Sequence, residues 1–284
     1  MESRENCGVA GLYLKKGFAE KNPEFLSEGL YMMLLEMQHR GQQSAGIFTF
    51  NPNPGEGKKH FHLYKDLGLV KEVFKDSHAE KRADMIKRHK GKVGIGHIRY
   101  VTSSDTKSDE DALEEAQPFY RRHFRPFKRF GIAYNGNLAN YREIERKLEK
   151  EIGYDLETNV DTELLMALFA LNLQLVNGDN NKKPDWIKVI NNISKEIDGA
   201  YSTVMLTGNG DLITFKDSKG IRPLVYGENE NLIGIASESS ALNRVGIKNV
   251  IDVEPGQLLI ISNDKITKDY YIDKRELSAC CFEY

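Results

Sequence analysis

Apolar residues return at spacings of three and four in three stretches of the chain. Phe25, Leu26, Leu30, Met33, Leu34 and Met37 share one side of a helix opened by Asn22-Pro23, the proline suiting a first turn that needs no amide donor, and the pattern stops near Gly41. Leu164, Leu165, Leu168 and Phe169 mark a second helix after Asp161, and Trp186, Val189, Ile190, Ile193 and Ile197 mark a third. Between and after them, runs rich in β-branched and aromatic residues at 93–100, 131–134, 201–206, 212–215 and 232–236 read as strands. Helix and strand seldom alternate, so the pattern predicts an α+β class, helices layered on largely antiparallel sheets, in place of a doubly wound parallel fold. Charged, glycine-rich or asparagine-rich stretches near 52–59, 103–116 and 177–183 read as surface loops of one domain.

Composition removes several classes of function. With 284 residues, 40% of them apolar, the chain can bury a sizeable core. Forty Lys and Arg stand against 42 Asp and Glu, a formal charge of -2, so nothing global draws the protein to nucleic acid or to an anionic membrane. The apolar run at 164–176 is broken by Asn172 and Gln174 and is too short for a bilayer, and the polar start at 1–6 lacks a signal-peptide core. A cytoplasmic location is expected. Three cysteines, at 7, 280 and 281, make no disulfide framework, as suits a reducing compartment.

Cys7 carries the most chemistry. It stands in a Cys7-Gly8-Val9-Ala10-Gly11 run and would become a new N-terminus if residues 1–6 were removed. Its own α-amine, with a pKa near 8, could then relay the thiol proton, a base that no internal cysteine possesses. Alone, a cysteine beside glycines reads as core filling. Four polar motifs fall at the ends of the expected elements: Gln38-His39-Arg40-Gly41-Gln42, Gly96-His97-Ile98-Arg99-Tyr100, Asn135-Gly136-Asn137-Leu138 and Asn159-Val160-Asp161-Thr162-Glu163. Singly they read blandly: Asn135-Gly136 as a hairpin turn, Arg99 as a surface-paired arginine, Asp161 as a helix cap.

Together with Cys7, these motifs resemble the class II glutamine amidotransferases, and within them the amidophosphoribosyltransferase family. Further marks are Ala116-Gln117-Pro118-Phe119, Gly199-Ala200-Tyr201-Ser202, Gly220-Ile221-Arg222-Pro223-Leu224, Ser237-Glu238-Ser239 and Pro255-Gly256. The resemblance spans residues 4–284 and implies the four-layer αββα fold of the N-terminal nucleophile hydrolases. It implies a propeptide at 1–6, a glutaminase domain at 7–275, and a segment at 276–284 leading toward an absent phosphoribosyltransferase domain. It also implies roles. Cys7 would supply thiolate and amine, the Asn135 side-chain amide and the Gly136 backbone amide would form the oxyanion hole, Arg99 would hold the α-carboxylate of glutamine, and Asp161 its ammonium. Tyr100 and Thr102 would line the same site, and Arg40 and Gly41 would support the nucleophile. Three positions depart from the family: Tyr134 stands for the usual His, Gln43 for Glu or Asp, and Val101 for Ser or Ala. They bear on the support of the oxyanion loop and the nucleophile and remove no catalytic group.

The same resemblance sets the expected partners and cofactors. No cofactor is expected in this chain; Mg, and an iron-sulfur cluster that three cysteines cannot hold alone, would come only with a phosphoribosyltransferase half. Ammonia from glutamine would pass to that half, as a domain or a subunit, for 5-phosphoribosylamine synthesis in purine biosynthesis, within a homo-oligomer. Two other readings remain open: a glutaminase serving another acceptor synthase, and an unprocessed, noncatalytic glutamine-binding scaffold.

Overall fold

The computed structural model describes residues 7–100, 108–177, 183–273 and 276–278. The expected propeptide, Val101, Thr102, Cys280 and Cys281 lie outside the described residues. Thirteen strands are found among those described: β1 (Gly8–Leu14), β2 (Ser44–Phe50), β3 (Phe61–Leu67), β4 (Val93–Arg99), β5 (Phe119–Arg121), β6 (Phe130–Leu138) and β7 (Gly199–Thr207), followed by β8 (Leu212–Lys216), β9 (Val225–Glu228), β10 (Leu232–Ala236), β11 (Val250–Asp252), β12 (Gln257–Ser262) and β13 (Lys265–Tyr270). The helices run α1 (Lys16–Lys21), α2 (Phe25–Glu36), α3 (Val70–Val73), α4 (Ala79–Arg88), α5 (Asp109–Glu114), α6 (Tyr141–Arg146), α7 (Asp161–Asn177), α8 (Trp186–Ser194) and α9 (Ser239–Arg244). No helix among the described residues is long and apolar enough to cross a membrane.

The strands form two sheets, ordered β11-β9-β10-β1-β4-β2-β3 and β13-β12-β8-β7-β6-β5. Every pairing between them is antiparallel. Period-two alternation then decides what each face buries. In the first sheet Ala10, Leu12, Ala45, Ile47 and Ile98 pack beneath Leu26, Leu30 and Leu34 of α2 and Leu242 of α9. In the second, Ile132, Met205, Ile213 and Phe215 pack beneath Leu165, Leu168 and Phe169 of α7 and Val189 and Ile190 of α8. The opposite faces meet each other, with Val9, Tyr13, Phe48 and Ile95 against Ala133, Val204, Leu206 and Leu259. The result is the expected αββα stack: β1 is buried along its whole length because helices cover one face and a sheet the other.

Two expectations are corrected. Asn135-Gly136 is not a hairpin turn; β6 continues through it, Asn135 facing Ser202 and Gly136 facing Tyr201, and pairing ends only at Leu138 with Gly199. The stretch expected as a loop at 103–116 contains α5 where it is described. Ser108 Oγ accepts from Asp111 N at 3.1 Å, and acidic residues at 109, 110 and 111 sit in the first turn, where the helix dipole favours them.

Candidate active site

The site is built at one end of the space between the sheets. Gly8 pairs with Ile98 and Ser44 pairs with Arg99, which gathers the start of β1, the end of β4 and the start of β2. Alternation that sends Val9 and Ile95 toward the second sheet also assigns Cys7, His97 and Arg99 to that face. At this end a hydrogen bond crosses the gap: His97 Nε2 lies 3.0 Å from the carbonyl oxygen of Tyr134 on β6. Since a carbonyl only accepts, Nε2 carries the proton and Nδ1 is the bare nitrogen. Burial pushes the pKa of His97 down to about 3, partly offset by the Tyr134 bond, with the Arg99 charge lowering it further. It is a neutral imidazole that ties the sheets together.

Asn135 follows Tyr134 and is 1% exposed, on the inter-sheet face with Ser202 opposite it. Both Asn135 side-chain atoms are buried and make no hydrogen bond among the described residues. The strand presenting Asn135 is held instead through its backbone. Gln117 Oε1 accepts from Tyr134 N at 2.7 Å, and Gln117 Nε2 donates to Tyr134 O at 3.2 Å. The backbone of Tyr134 makes these bonds, so the departure from histidine leaves them in place. A Cβ on Gly136 would stand 2.7 Å from Tyr134 Oη and 2.4 Å from Ala200 O, so no side chain fits there.

Asp161 opens the 17-residue helix α7, and its Oδ2 accepts from Leu138 N at 2.7 Å, pinning the helix start to the end of β6. The preceding turn is shaped by Glu163, which accepts from Glu157 N at 2.9 Å and Thr158 N at 2.7 Å. Arg99 Nη2 donates to Glu115 Oε2 at 2.8 Å, and both side chains are largely buried. Arg99 Nη1 is buried with no hydrogen bond among the described residues, so half of its planar fork remains available. Tyr100, just past β4, is 38% exposed.

Arg40 is buried, and its Nε donates to Glu238, which also receives His39 Nε2 at 2.8 Å. Burial opposes ionisation of Glu238, but the Arg40 and His39 contacts outweigh it and hold the carboxyl below its ordinary range. Arg40 runs beside the residue after Cys7: a Cβ on Gly8 would lie 3.6 Å from Arg40 Cδ. Ser237 completes this side, its Oγ accepting from Val9 N at 3.0 Å. Gly41 packs on the Arg99 backbone, where a Cβ would come within 2.7 Å of the carbonyl. The fold thus brings Cys7, Arg40, Gly41, Arg99, Asn135 and Gly136 to one end, with Asp161 just beyond β6.

Sequence reasoning missed Glu115 as a partner of Arg99 and gave Gln117 no role. Ser44 and Ser202 were missed as well. Their Oγ atoms, Gln43 Oε1 and His97 Nδ1 join Arg99 Nη1 and the Asn135 amide as buried polar atoms without hydrogen bonds among the described residues. Leaving such groups unmet costs about 1–3 kcal/mol each. Atoms of the same kind occur elsewhere in the fold, Thr49 Oγ1 and Trp186 Nε1 among them, but those at this end stand beside the motifs singled out in the sequence.

A family model of the glutamine amidotransferase domain matches residues 104–244. The amidophosphoribosyltransferase of Methanothermobacter thermautotrophicus is 32% identical over 283 residues, covering 100% of this chain and 52% of that protein. The chain carries a glutamine amidotransferase domain and is similar to amidophosphoribosyltransferases along its whole length. The Escherichia coli amidophosphoribosyltransferase is 34% identical over 285 residues, with 98% of this chain and 51% of that protein covered. The solved glutamine phosphoribosylpyrophosphate amidotransferase of B. subtilis matches the amidotransferase domain with a TM-score of 0.74 at 29% identity, over 96% of this chain and 51% of its own. The amidotransferase domain therefore spans about half the length of the relatives it matches.

Proposed function

We propose that this amidotransferase domain hydrolyses glutamine to glutamate and ammonia, with Cys7 as the nucleophile after removal of residues 1–6. The observation that carries the reading is the pairing of two unspent donors, the buried Asn135 amide and Arg99 Nη1, at the end of the sheets where β1 presents Cys7. The Cys7 thiolate attacks the side-chain amide carbon, and the negative charge moves to oxygen, where Asn135 Nδ2 and the Gly136 N–H receive it. The α-ammonium of Cys7 returns a proton to the departing nitrogen, the C–N bond breaks, and ammonia leaves a thioester. Water then attacks the thioester, the free amine takes its proton, and glutamate and the thiol are restored. Arg99 and Asp161, opposite in charge, select the zwitterionic end of the amino acid, and Tyr100 lines that end. Arg40 and Gly41 shape the nucleophile's surroundings.

The same reading gives the ammonia a destination. A phosphoribosyltransferase half, carried as a further domain or a partner subunit in a homo-oligomer, would use it to make 5-phosphoribosylamine for purine biosynthesis. Mg and any iron-sulfur cluster belong to that half; the glutaminase steps draw only on thiol, amine and amide donors.

The reading is tested by covalent labelling with a glutamine analogue that carries an electrophilic diazoketone in place of the side-chain amide. One equivalent should attach to Cys7 in the processed chain, located by peptide mass, and free glutamine should protect. An adduct at Cys280 or Cys281 alone, or no adduct on a processed chain, overturns it.

A further inference from the structure

The short segment between α5 and β5 touches both halves of the site, and each contact is made by a different residue. Glu115 Oε2 accepts from Arg99 Nη2 at 2.8 Å. Two residues on, the β5–β6 register that pairs Phe119 with Ile132 would set Gln117 opposite Tyr134. Strand pairing has stopped there, and the Gln117 side-chain amide takes its place, accepting from Tyr134 N at 2.7 Å and donating to Tyr134 O at 3.2 Å. A third tie fastens the segment to β3: Lys65 Nζ donates to the carbonyls of Glu114 at 3.0 Å and Ala116 at 2.6 Å. Glu115 and Gln117 are 5% and 7% exposed, so the bonds made by their side chains are largely shielded from solvent.

We propose that Glu115 and Gln117 are positioning residues for the glutaminase reaction, Glu115 setting the plane of the Arg99 guanidinium and Gln117 setting the Tyr134–Asn135 peptide that presents the oxyanion donor. The inference rests on the glutaminase reading above. A guanidinium held by a carboxylate on one edge offers the other in a fixed direction. Nη2 is spent on Glu115 and Nη1 is buried with no hydrogen bond among the described residues, which is the arrangement a carboxylate clamp needs. The amide of Asn135 lies one residue past a peptide gripped from two sides, by Gln117 and by His97. A shift of that peptide would move the donor away from a charge that exists only in the transition state.

The two roles separate kinetically. A loosened clamp weakens binding of substrate and transition state alike and raises KM, whereas a displaced oxyanion donor lowers kcat. The test is steady-state glutamine hydrolysis by the purified chain, its processing verified by intact mass, in wild type, Cys7→Ser, Glu115→Gln, Glu115→Asp and Gln117→Met. Glu115→Gln should raise KM roughly 10-fold with kcat within about 3-fold, and Glu115→Asp should recover part of the loss. Gln117→Met should lower kcat by about 10- to 100-fold with KM within about 3-fold. Thermal midpoints accompany every variant, and Glu115→Asp carries the clamp test if Glu115→Gln does not fold. An active, Cys7-dependent wild type with unchanged KM in both Glu115 variants, or unchanged kcat in Gln117→Met, overturns the positioning roles alone. A processed wild type that does not turn over glutamine, or one matched by Cys7→Ser, overturns the parent reading and these roles with it.

Discussion

At the scale of single residues, His97 shows how one side chain can serve both stability and site geometry. It is fully enclosed, neutral, and bonded through Nε2 to the carbonyl next to Asn135. Its pKa, pushed down to about 3 by burial, sits far below the ordinary 6.5, so the unfolded chain takes up a proton at pH values where the folded chain does not. Stability from this residue is complete above about pH 6.5 and is lost as pH falls toward 3, by roughly 1.4 kcal/mol per pH unit. Urea unfolding at pH 6, 5 and 4 should therefore show a steeper loss in the wild type than in His97→Gln, the two slopes differing by about one proton. Parallel slopes would mean that His97 is protonated inside the fold. The sequence offered Gly96-His97-Ile98-Arg99-Tyr100 as a motif, and Arg99 drew the attention; nothing local distinguished a charged surface histidine from a neutral one spanning two sheets.

At the scale of elements, the long helices and central strands were legible because their faces are one-sided. The strand at 232–236 and the helices starting near Phe25, Asp161 and Trp186 fall where apolar spacing put them. Less legible was the segment 108–121. Its run of acidic residues reads as solvent-facing, and only tertiary pairing separates Glu115, buried on Arg99, from the neighbouring Glu114. Asn135-Gly136 misled for a related reason: its turn chemistry is a local preference, and pairing with β7 overrides it. The way this segment beds against β2 gives a sharp expectation. A Cβ on Gly46 would stand 2.4 Å from Gln117 O and 2.8 Å from Lys65 Cβ, whereas one on Gly17 of α1 meets nothing within 4 Å. Gly46→Ala should cost about 1–3 kcal/mol in urea unfolding, since backbone cannot step aside cheaply, and Gly17→Ala should be neutral or stabilising by up to ~1 kcal/mol. Equal effects at the two positions would contradict the close bedding of the 114–118 segment.

At the scale of the whole molecule, two sheets buried against each other leave one end where buried side-chain polar atoms converge without hydrogen bonds among the described residues. That end is organised around the start of β1, which is why the position of Cys7 matters more than its type. Cys7 lies two residues before Val9, on the inter-sheet side, and its reactivity on this account depends on becoming a chain terminus. The chain spans about half the length of each of these relatives. The most direct measurement of the central claim combines intact mass with glutamate release from glutamine, for the wild-type chain and Cys7→Ser. The account predicts that the species beginning at Cys7 releases glutamate and ammonia in equal amounts, and that Cys7→Ser falls by two or more orders of magnitude, on the order expected when a nucleophile is lost. Glutamate release of equal rate from Cys7→Ser, or a chain beginning at Cys7 that leaves glutamine intact, would contradict it.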